Sequence, residues 1–118
     1  MQPKKALGIA GEELIAQRLK TEGFAIISQN YSKQFGEIDL IARKNDLIIF
    51  VEVKARRKPL FDMAEIISQS KQRKIIAVAK HFLAYHNIND AYCRFDVALI
   101  EYEPDDPKVS YIQNAFCE

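Results

Sequence analysis

Apolar and polar positions follow two different periods along this chain, and each change of period marks an element. From about Lys4 to Glu22 the spacing is helical, with Gly23 as a natural stop. Between Phe24 and Tyr31 the apolar Phe24, Ile26, Ile27 and Tyr31 predict a strand. Gly36 to Arg43 sets Ile38, Leu40 and Ala42 against Glu37, Asp39 and Ile41; after the polar turn Lys44-Asn45-Asp46 comes the run Leu47 to Lys54. The pair reads as a β-hairpin. Its second run is nearly all β-branched or aromatic, as befits a strand covered on both faces, and is expected at the sheet centre. Pro59 breaks the chain, and Ala64 to His86 is predicted as a long helix with the stripe Ile75, Ala79, Phe82, Leu83 and His86. Arg94 to Glu101 and Val109 to Ile112 are two further strands, separated by the turn from Pro104 to Pro107. The order is α-β-β-β-α-β-β, with no repeat or low-complexity segment.

Length and composition narrow the class. The 118 residues are one domain's worth of chain, expected as a single unit over 1–118, and 48% apolar with 28% charged residues argues for a globular fold over disorder. The apolar run Leu47 to Val51 is far too short for a membrane span, and no apolar stretch follows the basic start as a signal peptide requires. Cys93 and Cys117 match no metal spacing and are too few to staple a secreted domain, so we expect reduced thiols and a cytoplasmic protein. The net charge of +1 conceals an asymmetry. Residues 1–80 hold 15 basic and 9 acidic side chains, whereas 81–118 hold 2 basic and 7 acidic ones. Any polyanion site is therefore local and belongs to the first two-thirds of the chain.

Four polar residues stand where apolar ones are expected. Glu12 precedes Ile15, Ala16 and Leu19 by three, four and seven residues, so on a helix it shares their face and points toward the sheet, unless it snorkels out at the boundary. In a hairpin whose turn is Asn45-Asp46, or four residues centred there, paired positions sum to 91, which sets Asp39 opposite Glu52; an odd-length turn staggers the pair by one residue. Like charges facing each other in a sheet are unfavourable, and more so when covered. Lys54 lies on the same strand face as Glu52. The three could form a buried ion cluster without chemistry, or sit on an outward face. Alternatively, a divalent cation between the carboxylates completes the balance; two oxygen ligands and an open sphere suit Mg²⁺, with Lys54 orienting an attacking water or stabilising phosphorane charge and Glu12 adding a ligand.

An acidic residue ending one strand, here Asp39, followed by Glu52-Val53-Lys54 on the next resembles the signature of restriction-endonuclease-like nucleases. The wider pattern is more specific: Gly11-Glu12, Gly23-Phe24, Asn30, Gly36 to Ile41, Phe50 to Lys54 with Arg56-Arg57, Ala64-Glu65 with Lys71, Arg94 to Val97, and Asn114 to Phe116. It resembles the bacterial YraN family of predicted endonucleases, similar to archaeal Holliday junction resolvases. The resemblance implies an α/β, restriction-endonuclease-like fold with a mixed central sheet flanked by helices. It also implies Mg²⁺ dependence, cleavage of structured DNA leaving a 5′-phosphate, and Glu12, Asp39, Glu52 and Lys54 as the active constellation. Ser32, Phe35 and Asp62 depart from the usual pattern, at an Arg and two Gly positions respectively, and bear on DNA contacts and loop shape.

Arg56, Arg57 and Lys58 leave the strand that carries Glu52 and Lys54, where phosphate contact is sensible, and the family pattern adds Lys71; Arg73 and Lys74 are equally well a solvated face. His81 and His86 have no metal or triad spacing, and His86 is expected to pack as part of the apolar stripe. Asp96 is expected to hold Arg94 as a local ion pair, and the scattered Phe and Tyr show no stacking array for single strands. These features support a Mg²⁺-dependent endodeoxyribonuclease, with Mn²⁺ as an alternative ion, acting on four-way junctions or other branched DNA in repair or recombination. Symmetric junction cutting calls for a homodimer. The rival readings are a non-catalytic DNA-binding or scaffold protein that keeps the fold, and an RNA-directed nuclease.

Overall fold

The expected order of elements holds in the computed structural model, which describes residues 4–57, 67–102 and 106–118. The elements are α1 (Lys4–Thr21), β1 (Ala25–Lys33), β2 (Gly36–Lys44), β3 (Leu47–Arg56), α2 (Gln69–Tyr85), β4 (Tyr92–Glu101) and β5 (Lys108–Phe116). The strands form one five-stranded sheet in chain order. Three neighbouring pairs are antiparallel, and β3 and β4 run parallel from Leu47↔Tyr92 to Arg56↔Glu101. A parallel pair needs a long crossover, which the segment containing α2 supplies. β3 is therefore central, as its apolar run predicts.

Period-two alternation sends β3 side chains to two separate cores. Ile49, Val51 and Val53 pack with Leu40, Ala42, Ala98 and Ile100 against Ile15, Ala16 and Leu19 of α1. Ile48 and Phe50 pack with Ile38 and Ile41 against Ile75, Val78, Ala79 and Phe82 of α2. Among the described residues, one helix covers each face. α1 lies very close to the sheet at Gly11, where a Cβ would stand 3.0 Å from Ile100 Cδ1 and 3.2 Å from Ala55 Cβ. This close seat fixes the height of the next residue, Glu12, above the strands.

The boundaries that differ from expectation include the end of β5, which continues past Ile112 to Phe116, and both ends of α2. α2 starts at Gln69 rather than Ala64, because the Ser68 hydroxyl accepts the Lys71 N–H at 3.1 Å and caps the helix there, with Ser68 itself extended. Ile67 precedes it outside the helix, and the first positions of the predicted helix, 64–66, lie outside the described residues. At the other end α2 closes at Tyr85, so His86 forms the cap and is exposed instead of packing into the stripe. Its ring leans on Phe82, with centroids 4.4 Å apart. Among the described residues no helix is long and apolar enough to cross a membrane.

Candidate active site

The hairpin register settles how Asp39 and Glu52 meet. Lys44 pairs with Leu47 across Asn45-Asp46, with Asn45 at φ 55, so the two-residue turn is present and pairs sum to 91 up to Leu40↔Val51. There the ladder stops, one pair short of Asp39 and Glu52. β2 leaves β3 at this point while remaining paired with β1 from Tyr31↔Ile38 to Lys33↔Gly36. The departure coincides with Asn30, which takes φ 52 and lies between the pairs Gln29↔Leu40 and Tyr31↔Ile38. It also reverses the alternation in β2. Ile38, expected beside Leu40 and Ala42, instead packs on the α2 face with Ile41.

Asp39 thus occupies a fork between two strands. Its Oδ2 accepts the Val53 N–H at 2.8 Å, taking a backbone donor that the ladder no longer uses. Asp39 and Glu52 remain in side-chain hydrogen-bond contact, so burial, together with the Glu52 charge, pushes the Asp39 carboxyl up to about 8 despite the bond from Val53. Glu52 is only 7% exposed, and two ammonium groups approach its Oε1: Lys71 Nζ at 3.2 Å and Lys54 Nζ at 3.8 Å. Lys54 is pushed down by burial and by its hydrogen-bonded neighbour Lys71. Burial also acts to lower Lys71, but its bond with Lys54 and the charges of Glu52 and Asp39 outweigh that and raise it.

Asp39 and Glu52 line a cavity of about 290 Å³ between the start of β2 and the first turns of α2, together with Gly36, Glu37, Ser68, Lys71 and Lys74. Glu12 is outside that lining. It comes from α1, half-buried, and its carboxyl is raised by burial while the Asn30 side chain bonds to it and opposes the rise; Glu37 and Glu52 add smaller upward pushes. The structure therefore gathers Glu12, Asp39, Glu52 and Lys54 around one fork, from both faces of the sheet. Among the described residues, no group of three or more His, Cys, Asp or Glu side chains is positioned to hold a metal ion; Asp39 and Glu52 are a contacting pair, with Glu12 a step removed. Asn30 is the member that strand spacing misses, because its role depends on a left-handed backbone that period-two reasoning does not contain.

The remaining candidates lie further out. Arg56 is exposed at the end of β3 and Arg57 half-buried just beyond it, while Lys58 falls outside the described residues. Asp96 is fully buried and structural, as expected. It accepts both Arg94 Nε and Nη2 at 2.9 Å, the Tyr111 hydroxyl at 2.6 Å and the Asn114 N–H at 3.0 Å, tying β5 to β4 where their register shifts. Cys93 and Cys117 are free and exposed.

Comparison with known proteins gives the chain's family and fold. The model of the uncharacterised protein family UPF0102 matches residues 11–100. A UPF0102 protein of Alkaliphilus metalliredigens is 41% identical over 113 residues, covering 95% of this chain and 98% of its own. One from Treponema pallidum is 40% identical over 117 residues, covering 95% and 93%. Among solved structures, Hjc of Archaeoglobus fulgidus, a Holliday junction resolvase, aligns with TM-score 0.53 and 20% identity over 86% of this chain and 72% of its own. That likeness shows the fold, which is restriction-endonuclease-like. On the family match across most of its length, the chain belongs to the UPF0102, or YraN, family.

Proposed function

We propose that this protein is a Mg²⁺-dependent endodeoxyribonuclease acting on branched or otherwise structured DNA in the cytoplasm, with one catalytic unit per chain. The observation that carries the reading is the carboxyl pair Asp39 and Glu52 in contact at the fork, with Lys54 beside it. A fold needs no such pair, since two contacting carboxyls with Asp39 driven up to about 8 are costly to hold without a cation. The donor set consists of hard oxygens, which fits Mg²⁺ or Mn²⁺; Asp39 and Glu52 would hold the ion and Glu12 would support it. When bound, the ion supplies charge neutralisation at the scissile phosphate and a lowered pKa for water.

The chain's own groups do the rest. Lys54, lowered by burial, orients the attacking water and donates toward the phosphate oxygens as charge grows on them. Water's oxygen bonds to phosphorus, the bond to the 3′ oxygen breaks, and the water's proton ends on the leaving 3′ hydroxyl, leaving a 5′-phosphate. Lys71 holds Glu52 in place, and Arg56 at the strand end and Arg57 just beyond it take flanking phosphates. Similarity of fold to a junction resolvase supports a branched substrate, and cutting both strands of a junction calls for two copies of this chain.

A second reading has its own observation. Lys71 and Lys54 already neutralise Glu52, which is what a DNA-binding protein retaining the fold without catalysis would need. Incubating the protein with four-way junctions, flaps, single strands and linear duplexes in Mg²⁺ or Mn²⁺, beside Asp39→Ala and Lys54→Ala, separates the two. The nuclease reading expects cutting that both substitutions abolish; binding without substitution-sensitive cutting sinks it. Structured RNA in the same panel tests the RNA-directed alternative.

A further inference from the structure

A strip of exposed rings continues the seam between α2 and the β1–β2 turn beyond the cavity. Gly36 lines the cavity, and a Cβ there would stand 3.1 Å from Val78 Cγ2 and 3.3 Å from Lys74 Cβ, so the turn presses on α2 at this point. The next residue outward, Phe35, is 45% exposed, with its ring 6.2 Å from that of His81. One turn further along α2 comes Tyr85, 72% exposed, its ring 6.2 Å from His81 and within 9° of parallel. The Tyr31 hydroxyl bonds to His81 Nδ1 at 3.0 Å and fixes the central ring. Lys33 and Lys74 flank the strip, with Lys33 Nζ 5.2 Å from the Tyr31 ring centroid. Exposed rings beside cations are the composition of a single-strand binding surface.

We propose that Phe35, His81 and Tyr85 form a base-stacking platform for an unpaired DNA segment adjoining the scissile site. The platform rests on the nuclease reading and specifies its substrate: a duplex with a single-stranded arm, the phosphates near Lys74 and Lys33 and the bases on the rings. The basic flank favours this occupant over a second copy of the chain, which would set lysine against lysine across a two-fold axis.

The test is binding in divalent-free buffer of two duplexes, one blunt and one with a single-stranded arm containing a fluorescent adenine analogue. Wild type should prefer the armed duplex and quench the analogue. Phe35→Ala and Tyr85→Ala should each weaken armed-duplex binding about fivefold or more and relieve the quenching, with blunt-duplex binding unchanged. Tyr85→Phe should restore both. Equal losses on both duplexes, or no loss on either, overturn the platform, as does Tyr85→Ala converting a dimer to a monomer in sedimentation. If quenching is intact but Mg²⁺ elicits no cutting, the nuclease reading fails and the platform stands; cutting without ring-dependent quenching gives the reverse.

Discussion

Replacing Asp39 by Asn should stabilise the metal-free protein, and by an amount that depends on pH in a definite direction. In the native state the Asp39 carboxyl sits at about 8, whereas in the unfolded chain it returns to about 3.9. Below pH 4 the group is protonated in both states and costs nothing. As pH rises from about 4 to about 8 the unfolded chain releases the proton and the native protein does not, so stability falls across that window and levels off above it. At pH 7 the ceiling is about 4 kcal/mol, at about 1.4 kcal/mol per pH unit. Water reaches the half-buried fork, and the lysines beside Glu52 respond, so we expect about half of that, about 2 kcal/mol. The substituted amide retains an oxygen for the Val53 N–H and an N–H for Glu52, leaving the neutral arrangement intact. At about 4 °C per kcal/mol for a chain of this size, Asp39→Asn should melt about 8 °C above wild type at pH 7, near wild type at pH 4, and higher still at pH 9. Thermal melts in chelator across that range measure it. A difference that stays constant from pH 4 to pH 9 would show that the carboxyl pair carries no such cost.

Adding millimolar Mg²⁺ should raise the melting temperature of wild type and flatten its pH slope, with no response in Asp39→Asn or Glu52→Gln; calorimetric titration gives the same comparison directly. Lys54→Met should lower the turnover number by about a hundredfold or more while substrate binding is kept, since its role is in the transition state. Gly11→Val should cost about 2 kcal/mol by forcing α1 away from Ile100 and Ala55, visible as a lower urea midpoint with unchanged slope. Asp96→Ala should cost about 3 kcal/mol or more, because Arg94, the Tyr111 hydroxyl and the Asn114 N–H all lose one buried acceptor; amide exchange should rise across β4 and β5.

Much of the site is legible in the order of residues because short-range rules govern it. The Asn45-Asp46 turn fixes the register of Leu40 and Val51, and the register brings Asp39 to Glu52 and leaves Lys54 on the same face. The helical phase of Glu12 relative to Ile15 and Leu19 likewise directs it to the sheet. What sequence spacing does not contain is the end of the ladder. The left-handed Asn30 and the turnover of Ile38 depend on two strands and a helix competing for the same segment, which no single-strand period encodes. The late start of α2 has a similar origin. Ser68 is a capping residue, but it lies inside a stretch whose composition alone reads as continuous helix. Nor could composition disclose the ring strip, since Phe35 joins His81 and Tyr85, one helical turn apart, only when the β1–β2 turn docks on α2.

The pair Leu40 and Val51 is also a boundary between two regimes of motion. On one side, strand separation is held by a ladder of backbone bonds and changes only if the sheet itself opens. On the other, the distance between β2 and β3 depends on one carboxyl bond to Val53 and on side-chain contacts. Amides on the two sides should therefore exchange by different routes, by global unfolding within the ladder and by local opening beyond it. Widening on the loose side leaves the ladder intact and is resisted by the packing of Ile38 and Gly36 against α2.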